Sequence, residues 1–466
     1  MSNELAPDTI AAISTPCAQG AIGIVRLSGN EALGILSKIF ATKNSTDIKK
    51  AVSHTIHFGR IVDGNGSHIV DEVLASIMLA PHTYTKENIV EISCHSNPII
   101  LQNILELAIR NGARLAEPGE FTKRAFLNGR MDLSQAEAVV DIINAKSEDS
   151  ISSALKQLEG ELSEKIRTIQ NVLKETLISL ESNIDFSDDN VEVINKESLK
   201  NTLLNTKDDL LKLISSYRSG KLLKDGINVP IIGKANAGKS SLFNILIDSP
   251  SRALVTQFPG TTRDFLDESV LITGKLFKFI DTAGYKTPRG MIEKESLKKT
   301  EDCINNAEVI ILLIDGSKSL PVKDIVLWRS LLLKPLIIAI SKSDLAQKVK
   351  DTAIKEAFPN ANIVRLSCKD KSGVPELRNA LSFIVSGIYD SSTKSDLVIT
   401  NLRHKNLFEK ALSCIDEGIS AIDTKLSAEF IATDIRHALE NIQEISGERV
   451  SDNILQEIFS KFCIGK

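Results

Sequence analysis

Gly233-Lys234-Ala235-Asn236-Ala237-Gly238-Lys239-Ser240 has the form G-x-x-x-x-G-K-[ST], and its flanks decide what it means. The apolar run Val229-Pro230-Ile231-Ile232 before it reads as a buried strand. Ser240-Ser241-Leu242-Phe243-Asn244-Ile245-Leu246 reads as a helix. A strand, glycine loop and helix in that order turn backbone N–H groups and the positive end of a helix toward phosphate oxygens. Asn236, Ala237, Gly238, Lys239, Ser240 and Ser241 are therefore expected to line the phosphates of a nucleotide. Lys239 would reach the β- and γ-phosphates, and the Ser240 hydroxyl would meet Mg²⁺.

Downstream stretches fit the same site. Asp281-Thr282-Ala283-Gly284 follows the apolar run Leu276–Ile280, so a carboxylate stands at a strand end where it can hold Mg²⁺ through water. Gly260-Thr261-Thr262-Arg263-Asp264 supplies a threonine, Thr262, as a second protein oxygen for Mg²⁺. Ser341-Lys342-Ser343-Asp344 follows the buried run Leu336–Ile340. Asp344 can accept both N–H groups of guanine, and Lys342 can lie along the base. The guanine signature usually begins with Asn, and here Ser341 stands in its place, at a cost of about 1 kcal/mol if one hydrogen bond is lost. Ser367-Cys368-Lys369 after Ile363–Leu366 reads as the further loop on the guanine oxygen. GTP is expected over ATP.

Hydrolysis needs a water-orienting group and a cation. The residue after the Asp-x-x-Gly glycine is Tyr285 and not Gln, and an arginine finger contributes roughly 10³–10⁵ in rate where present. Asn236 can turn its carbonyl oxygen toward a monovalent cation, and Glu293 is a candidate for orienting water.

Around this region the chain changes texture twice. Its 466 residues suit two to four domains. Residues 1–120 mix strands (Ala21–Leu27, Thr55–Val62, Val73–Leu79, Ile89–Ser93) with helices (Asn30–Phe40, Pro98–Asn111). From Ile151 to Ile184 apolar residues recur in steps of four, three and four, about 3.67 per repeat, the period of long straight helices. Residues 197–217, Leu402–Ile422, Glu429–Ile445 and Ser451–Phe462 also read as helices. Residues 225–385 alternate strand and helix, the pattern of a parallel sheet. A nucleotide-binding α/β domain inserted into a helical one is expected, with Gly220 and Gly226 marking its start and Gly387 its end.

Composition restricts the partners. The chain is 42% hydrophobic and 25% charged with a net charge of −4, which argues against a general nucleic-acid coat. No apolar run reaches the ~20 residues of a membrane span, and Met1 to Asp8 lack a signal pattern, so a cytoplasmic location is expected. The six cysteines are scattered without a C-x-x-C pair, against structural disulfides or a Cys₄ metal site. Cys463-Ile464-Gly465-Lys466 fits a prenylation signal poorly.

Taken together these residues resemble the MnmE (TrmE) family of tRNA-modification GTPases along essentially the whole chain. The likeness is carried by Pro118-Gly119-Glu120-Phe121-Thr122-Lys123-Arg124-Ala125-Phe126-Leu127-Asn128-Gly129, Asp132-Leu133, Gln135-Ala136-Glu137, the loop from Asn236 to Ser241, Gly260 to Asp264, and Phe462-Cys463-Ile464-Gly465-Lys466. The resemblance implies three parts. These are an α+β folate-binding and dimerisation domain at 1–121, a discontinuous helical domain at 122–219 and 386–466, and an inserted Ras-like G domain at 220–385. It implies a homodimer whose G domains meet when K⁺ is bound, a flavoprotein partner of the MnmG (GidA) type forming a heterotetramer, and C5 modification of the wobble uridine (U34) of certain tRNAs. A tetrahydrofolate derivative would donate the one-carbon unit. The resemblance assigns K⁺ to Asn236, Thr256, the Phe258 backbone and Thr261, and Mg²⁺ to Ser240 and Thr262. It assigns water orientation to Glu293, folate binding to Arg26, Glu91, Arg130 and Lys466, and the loop Gln257-Phe258-Pro259-Gly260 to the nucleotide. The chain departs from the family at Ala235, where proline is common, at Lys286, where Arg is common, and at Ser341. A ribosome-assembly GTPase of the Era or EngA (Der) kind is the alternative, but no G-x-x-G clamp follows residue 387. A folate-binding scaffold with a vestigial GTPase is a third reading, favoured only by Ser341.

Overall fold

A computed structural model describes residues 8–16, 19–42, 47–63, 68–185, 195–248, 267–281, 300–328, 334–390 and 397–466. Chain contacts divide it into two compact units, one of Met1–Val140, Gln157–Lys174 and Leu439–Lys466, the other of Asp141–Lys156 and Glu175–Ala438.

The first unit is built on a seven-stranded sheet. Its strands are β1 (Thr9–Ile13), β2 (Ile22–Ser28), β3 (Phe40–Ala41), β4 (Thr55–Asp63), β5 (His68–Met78), β6 (Ile89–His95) and β7 (Ala113–Leu115), in the order β3-β4-β5-β6-β2-β1-β7. Neighbours are antiparallel except the β1–β7 pair. Alternation puts Val25, Leu27, Ile61, Val73, Ala75, Ile77, Val90 and Ile92 on one face. There they pack with Ile35, Leu36, Leu101 and Ile104 of helices α1 (Ala32–Ile39) and α2 (Pro98–Arg110). The Asn97 side chain caps α2 and Pro98 opens it, as the sequence predicts.

The opposite face carries Arg26 and Glu91, which stand directly across the β2–β6 ladder. Phe121 of α3 (Glu120–Leu127) packs with Ile10, Ala12, Ala116 and Tyr84. The C-terminal helix Asp452–Ser460 places Leu455, Ile458 and Phe459, with Phe462, against Ala125, Met131, Leu133 and Ala136. Gly119 lies in the left-handed region, and a Cβ there would fall 2.8 Å from the Phe459 carbonyl, so only glycine lets the two segments meet.

The eleven-residue pattern after residue 147 is carried by two helices, α5 (Glu148–Glu159) and α6 (Glu161–Asp185), with Gly160 at φ +100° between them. In the second unit α7 (Lys196–Asp225) runs beside helix Leu402–Asp423. The ion pairs Lys200–Asp423 (2.5 Å) and Lys207–Asp416 (2.6 Å) ascend one helix while descending the other, so the helices are antiparallel. Two of the glycines expected to mark the limits of the inserted domain lie within helices. Gly220 lies inside α7, which continues to Asp225 and ends on the left-handed Gly226. Gly387 lies inside helix Val374–Asp390. Gly220 has a different reason to be small: a Cβ there would stand 2.1 Å from the Ile399 carbonyl.

Straight after Gly226 begins a six-stranded sheet of β8 (Ile227–Gly233), β9 (Asp267–Ile272), β10 (Lys275–Asp281), β11 (Ile310–Asp315), β12 (Leu336–Ser341) and β13 (Asn362–Arg365), ordered β13-β12-β11-β8-β10-β9. All pairs are parallel except β9–β10, a hairpin turning through Thr273 and Gly274, both at positive φ. Among the described residues the central strands are buried on both faces, which accounts for their unbroken apolar runs. The fold is multidomain, joining an α+β part, a helical part and a mainly parallel P-loop α/β part.

Candidate functional site

The phosphate loop connects β8 to α8 (Lys239–Ile247). Its turn is made by two residues at positive φ, Asn236 at +63° and Gly238 at +99°. Asn is the non-glycine residue that best tolerates this region, so the Asn in the motif has a conformational role beside any ligand role. The Lys239 ammonium is buried and donates to the Lys234 carbonyl at 3.0 Å, and the Ala237 N–H reaches the same carbonyl at 3.3 Å. The Ser240 hydroxyl donates to Asp281 Oδ2 at 2.7 Å. The serine of the loop and the carboxylate at the end of β10 are thus brought together as a pair of hard oxygens, a donor set that suits Mg²⁺.

Ser341, Lys342, Asp344, Ser367, Cys368 and Lys369 come together at the ends of β12 and β13. The Ser341 hydroxyl is buried and bonds to the Ala237 carbonyl at 2.7 Å and the Ile314 carbonyl at 3.2 Å, tying this loop to the phosphate loop. The residue that departs from the guanine signature therefore keeps a hydrogen-bonding tie. Asp344 accepts from the Ser367 hydroxyl at 2.8 Å, and Ser367 Oγ accepts in turn from the Lys369 N–H at 3.2 Å. Lys342, at φ +60°, extends to Asp315 Oδ2 at 2.7 Å. Burial opposes ionisation of Asp315, but the Lys342 and Ser317 hydrogen bonds outweigh it and hold the carboxyl below its ordinary value. Burial first, and the Asp344 charge second, push the Cys368 thiol up.

Of the remaining residues expected at the nucleotide or named beside it, Thr256, Gln257, Phe258, Pro259, Gly260, Thr261, Thr262, Thr282, Ala283, Gly284, Tyr285, Lys286 and the catalytic candidate Glu293 lie outside the described residues.

A second constellation occupies the open face of the N-terminal sheet. Arg26 Nε meets Glu91 Oε1 at 2.7 Å, and Arg26 Nη1 donates to the Gly465 carbonyl at 3.2 Å. The Ser14 hydroxyl donates to that carbonyl as well, at 3.2 Å. Gly465 has φ +94°, and a Cβ would lie 2.5 Å from the Ile13 carbonyl, so the tail lies directly on the end of β1. Lys466, half-buried, follows with its N–H on the Cys463 carbonyl at 3.4 Å. The Arg26 guanidinium sits 5.6 Å from the centre of the Phe121 ring, and that of Arg130 sits 4.6 Å from the centre of Tyr84, whose hydroxyl meets Thr122 Oγ1 at 2.9 Å. Arg26, Glu91 and the tail before Lys466 are brought together, and Arg130 adjoins through the Phe121–Tyr84 cluster.

Sequence reading missed what anchors this face. Arg124 is 1% exposed and pairs with Asp8 (2.7 Å), Glu120 (2.9 Å) and Glu87 (3.2 Å), while Arg114 joins Asp8 (2.7 Å) and Glu120 (2.6 Å). Burial works against the charges of Asp8 and Glu120, but the arginine hydrogen bonds hold both carboxyls below their ordinary range. The four-residue spacing of Glu120 and Arg124 on a helix was the available signal. Asp315, the partner of Lys342, is also a residue the sequence did not single out.

Comparison with known proteins bears on the whole chain. Residues 9–130 match the family described as GTP-binding protein TrmE N-terminus, and residues 133–463 match the MnmE helical domain. The chain is 42% identical to the tRNA modification GTPase MnmE of Acetivibrio thermocellus, over 98% of its own length and 99% of that protein. The protein of the same name from Alkaliphilus oremlandii is equally similar, 42% identical over the same shares. Among solved structures, the FeoB G domain of Methanococcus jannaschii is 20% identical, covering 34% of this chain and 96% of that one at a TM-score of 0.27. The chain belongs to the MnmE (TrmE) family of tRNA-modification GTPases.

Proposed function

We propose that this GTPase works in C5 modification of the tRNA wobble uridine (U34), with a tetrahydrofolate derivative as one-carbon donor and GTP hydrolysis stimulated by K⁺. The observation that carries the folate part is the meeting of Arg26, Glu91 and the Gly465 carbonyl on one sheet face. Glu91 offers paired acceptors to the N–H donors of a pterin ring, and Arg26, Arg130 and Lys466 offer cations to a glutamate tail. A bound tetrahydrofolate supplies the one-carbon unit.

In the nucleotide site Ser240 and Thr262 would hold Mg²⁺, with Asp281 supporting it through water. Asn236, Thr256, the Phe258 backbone and Thr261 would hold K⁺, which would supply the positive charge that an arginine finger gives elsewhere. Glu293 orients the attacking water. Asp344, Ser367 and Lys369 select guanine, and the Ser341–Ala237 hydrogen bond keeps that selection in register with the phosphate loop. The domain limits follow the three parts given above.

The working assembly is a cytoplasmic homodimer joined by a flavoprotein of the MnmG type and acting on tRNA. The exposed apolar side chains Ile56, Phe58 and Leu74, on the sheet face that also bears Arg26, support self-association through the N-terminal domain. Among the described residues no helix is long and apolar enough to cross a membrane. Equilibrium binding of 5-formyl-tetrahydrofolate tests the folate site. Glu91→Gln and Arg26→Ala are each expected to weaken it at least about tenfold, one charge-assisted hydrogen bond's worth. Unchanged affinity in both would remove folate from this face.

A further inference from the structure

Lys234, the second residue of the phosphate loop, forms an ion pair with Asp324 on helix Val322–Trp328. No sequence motif marks Asp324. Its side chain is buried, and the Lys234 ammonium is its cation. The main chain of Lys234 is also where the loop is seated. Its carbonyl receives both the Lys239 ammonium and the Ala237 N–H. One residue therefore joins the buried carboxylate, through its side chain, to the lysine expected on the phosphates, through its carbonyl.

We infer that Asp324 is a positioning residue for nucleotide binding. It holds Lys234 by its side chain, and so keeps the Lys234 carbonyl where Lys239 and the first turn of the phosphate loop are preorganised. Two physical points favour this over a purely structural pair. Lys234 is half-exposed, so its ammonium would be free to swing to the phosphates if Asp324 did not hold it. A carboxylate fixed in a buried site loses little entropy on pairing, so restraint is transferred to the more mobile partner. The inference rests on the assignment of residues 233–240 as the GTP phosphate loop.

A double-mutant cycle on the full chain tests it, read by affinity for a fluorescent GDP analogue with thermal unfolding alongside. Asp324→Asn and Lys234→Met are each expected to weaken binding about tenfold, and the double variant no further, because both break one coupling. Lys234→Arg keeps the pair and is expected to stay within about twofold of the parent. Lys239→Ala is the control for the site itself, and nucleotide binding that survives it would overturn the phosphate-loop assignment. With that control behaving as expected, the inference is overturned by a lower unfolding midpoint with unchanged affinity. It is equally overturned if Lys234→Met weakens binding and Asp324→Asn does not, since Lys234 would then act on the phosphates directly. If Asp324→Asn fails to fold, Lys234→Met against Lys234→Arg still decides: equal affinity in these two variants removes the pair from nucleotide binding.

Discussion

The Ser341 hydroxyl donates to the Ala237 carbonyl at 2.7 Å, so the guanine-side loop and the phosphate loop are one connected unit. Ser341→Ala leaves the Ala237 and Ile314 carbonyls without this donor at a buried position. The loss is about 1 kcal/mol, or roughly fivefold in guanine-nucleotide affinity. Titration with a fluorescent GDP analogue measures it, and an unchanged dissociation constant would mean that the tie is dispensable.

Arg124, within the 118–129 motif, is held by three carboxylates. Arg124→Met strands buried negative charge at a cost of about 3–5 kcal/mol. Thermal unfolding is expected to begin roughly 10 °C lower. Because Asp8 and Glu120 have folded-state pKa values below the unfolded ones, their contribution is complete at neutral pH. It is lost as pH falls below about 4 through the folded values. The gap between parent and variant should therefore narrow in acid; a constant gap from pH 7 to 3 would speak against the ion-pair account.

Gly465 combines φ +94° with a backbone 2.5 Å from where its Cβ would be. Gly465→Ala should lift the tail from β1, withdraw the carbonyl from Arg26, and reduce 5-formyl-tetrahydrofolate affinity about tenfold. Calorimetric titration that finds the parent affinity would show that the tail's position does not matter to the ligand.

Turnover in KCl and NaCl at equal ionic strength tests the monovalent-cation proposal. The rate is expected to be at least about tenfold higher in KCl. Asn236→Ala should bring the two salts together. Glu293→Ala should abolish turnover while GTP still binds. Equal rates in the two salts for the parent would remove the cation from the mechanism.

The nucleotide part of the fold was legible because its signals are local. The β8–loop–α8 unit, β10, β12 and β13 each carry an apolar run followed by a polar motif expected at the nucleotide, and β11 carries an apolar run alone. β1, β3, β7 and β9 were not anticipated. Thr9–Ile13 and Ala113–Leu115 are short; they pair with each other across more than a hundred residues, and Thr9–Ile13 also pairs with β2. Gly220 and Gly387, expected to mark the limits of the inserted domain, lie within helices. Gly220 is small because the Ile399 backbone passes against it. In the site, Ser341 was identified as a departure, yet its partner could not be known, since Ala237 lies 104 residues earlier in the chain. Asp324, and the Asp8 and Glu87 partners of Arg124, were hidden for the same reason: a buried charge is recognised by what surrounds it, and these pairs join distant segments.

The central claim, that GTP hydrolysis by this chain serves wobble-uridine modification, is tested most directly by nucleoside mass spectrometry of tRNA from a deletion strain. Complementation with the parent chain is predicted to restore the C5-modified uridines, and complementation with Lys239→Ala to leave them absent. Normal modification in the deletion strain, or full restoration by Lys239→Ala, would contradict the account.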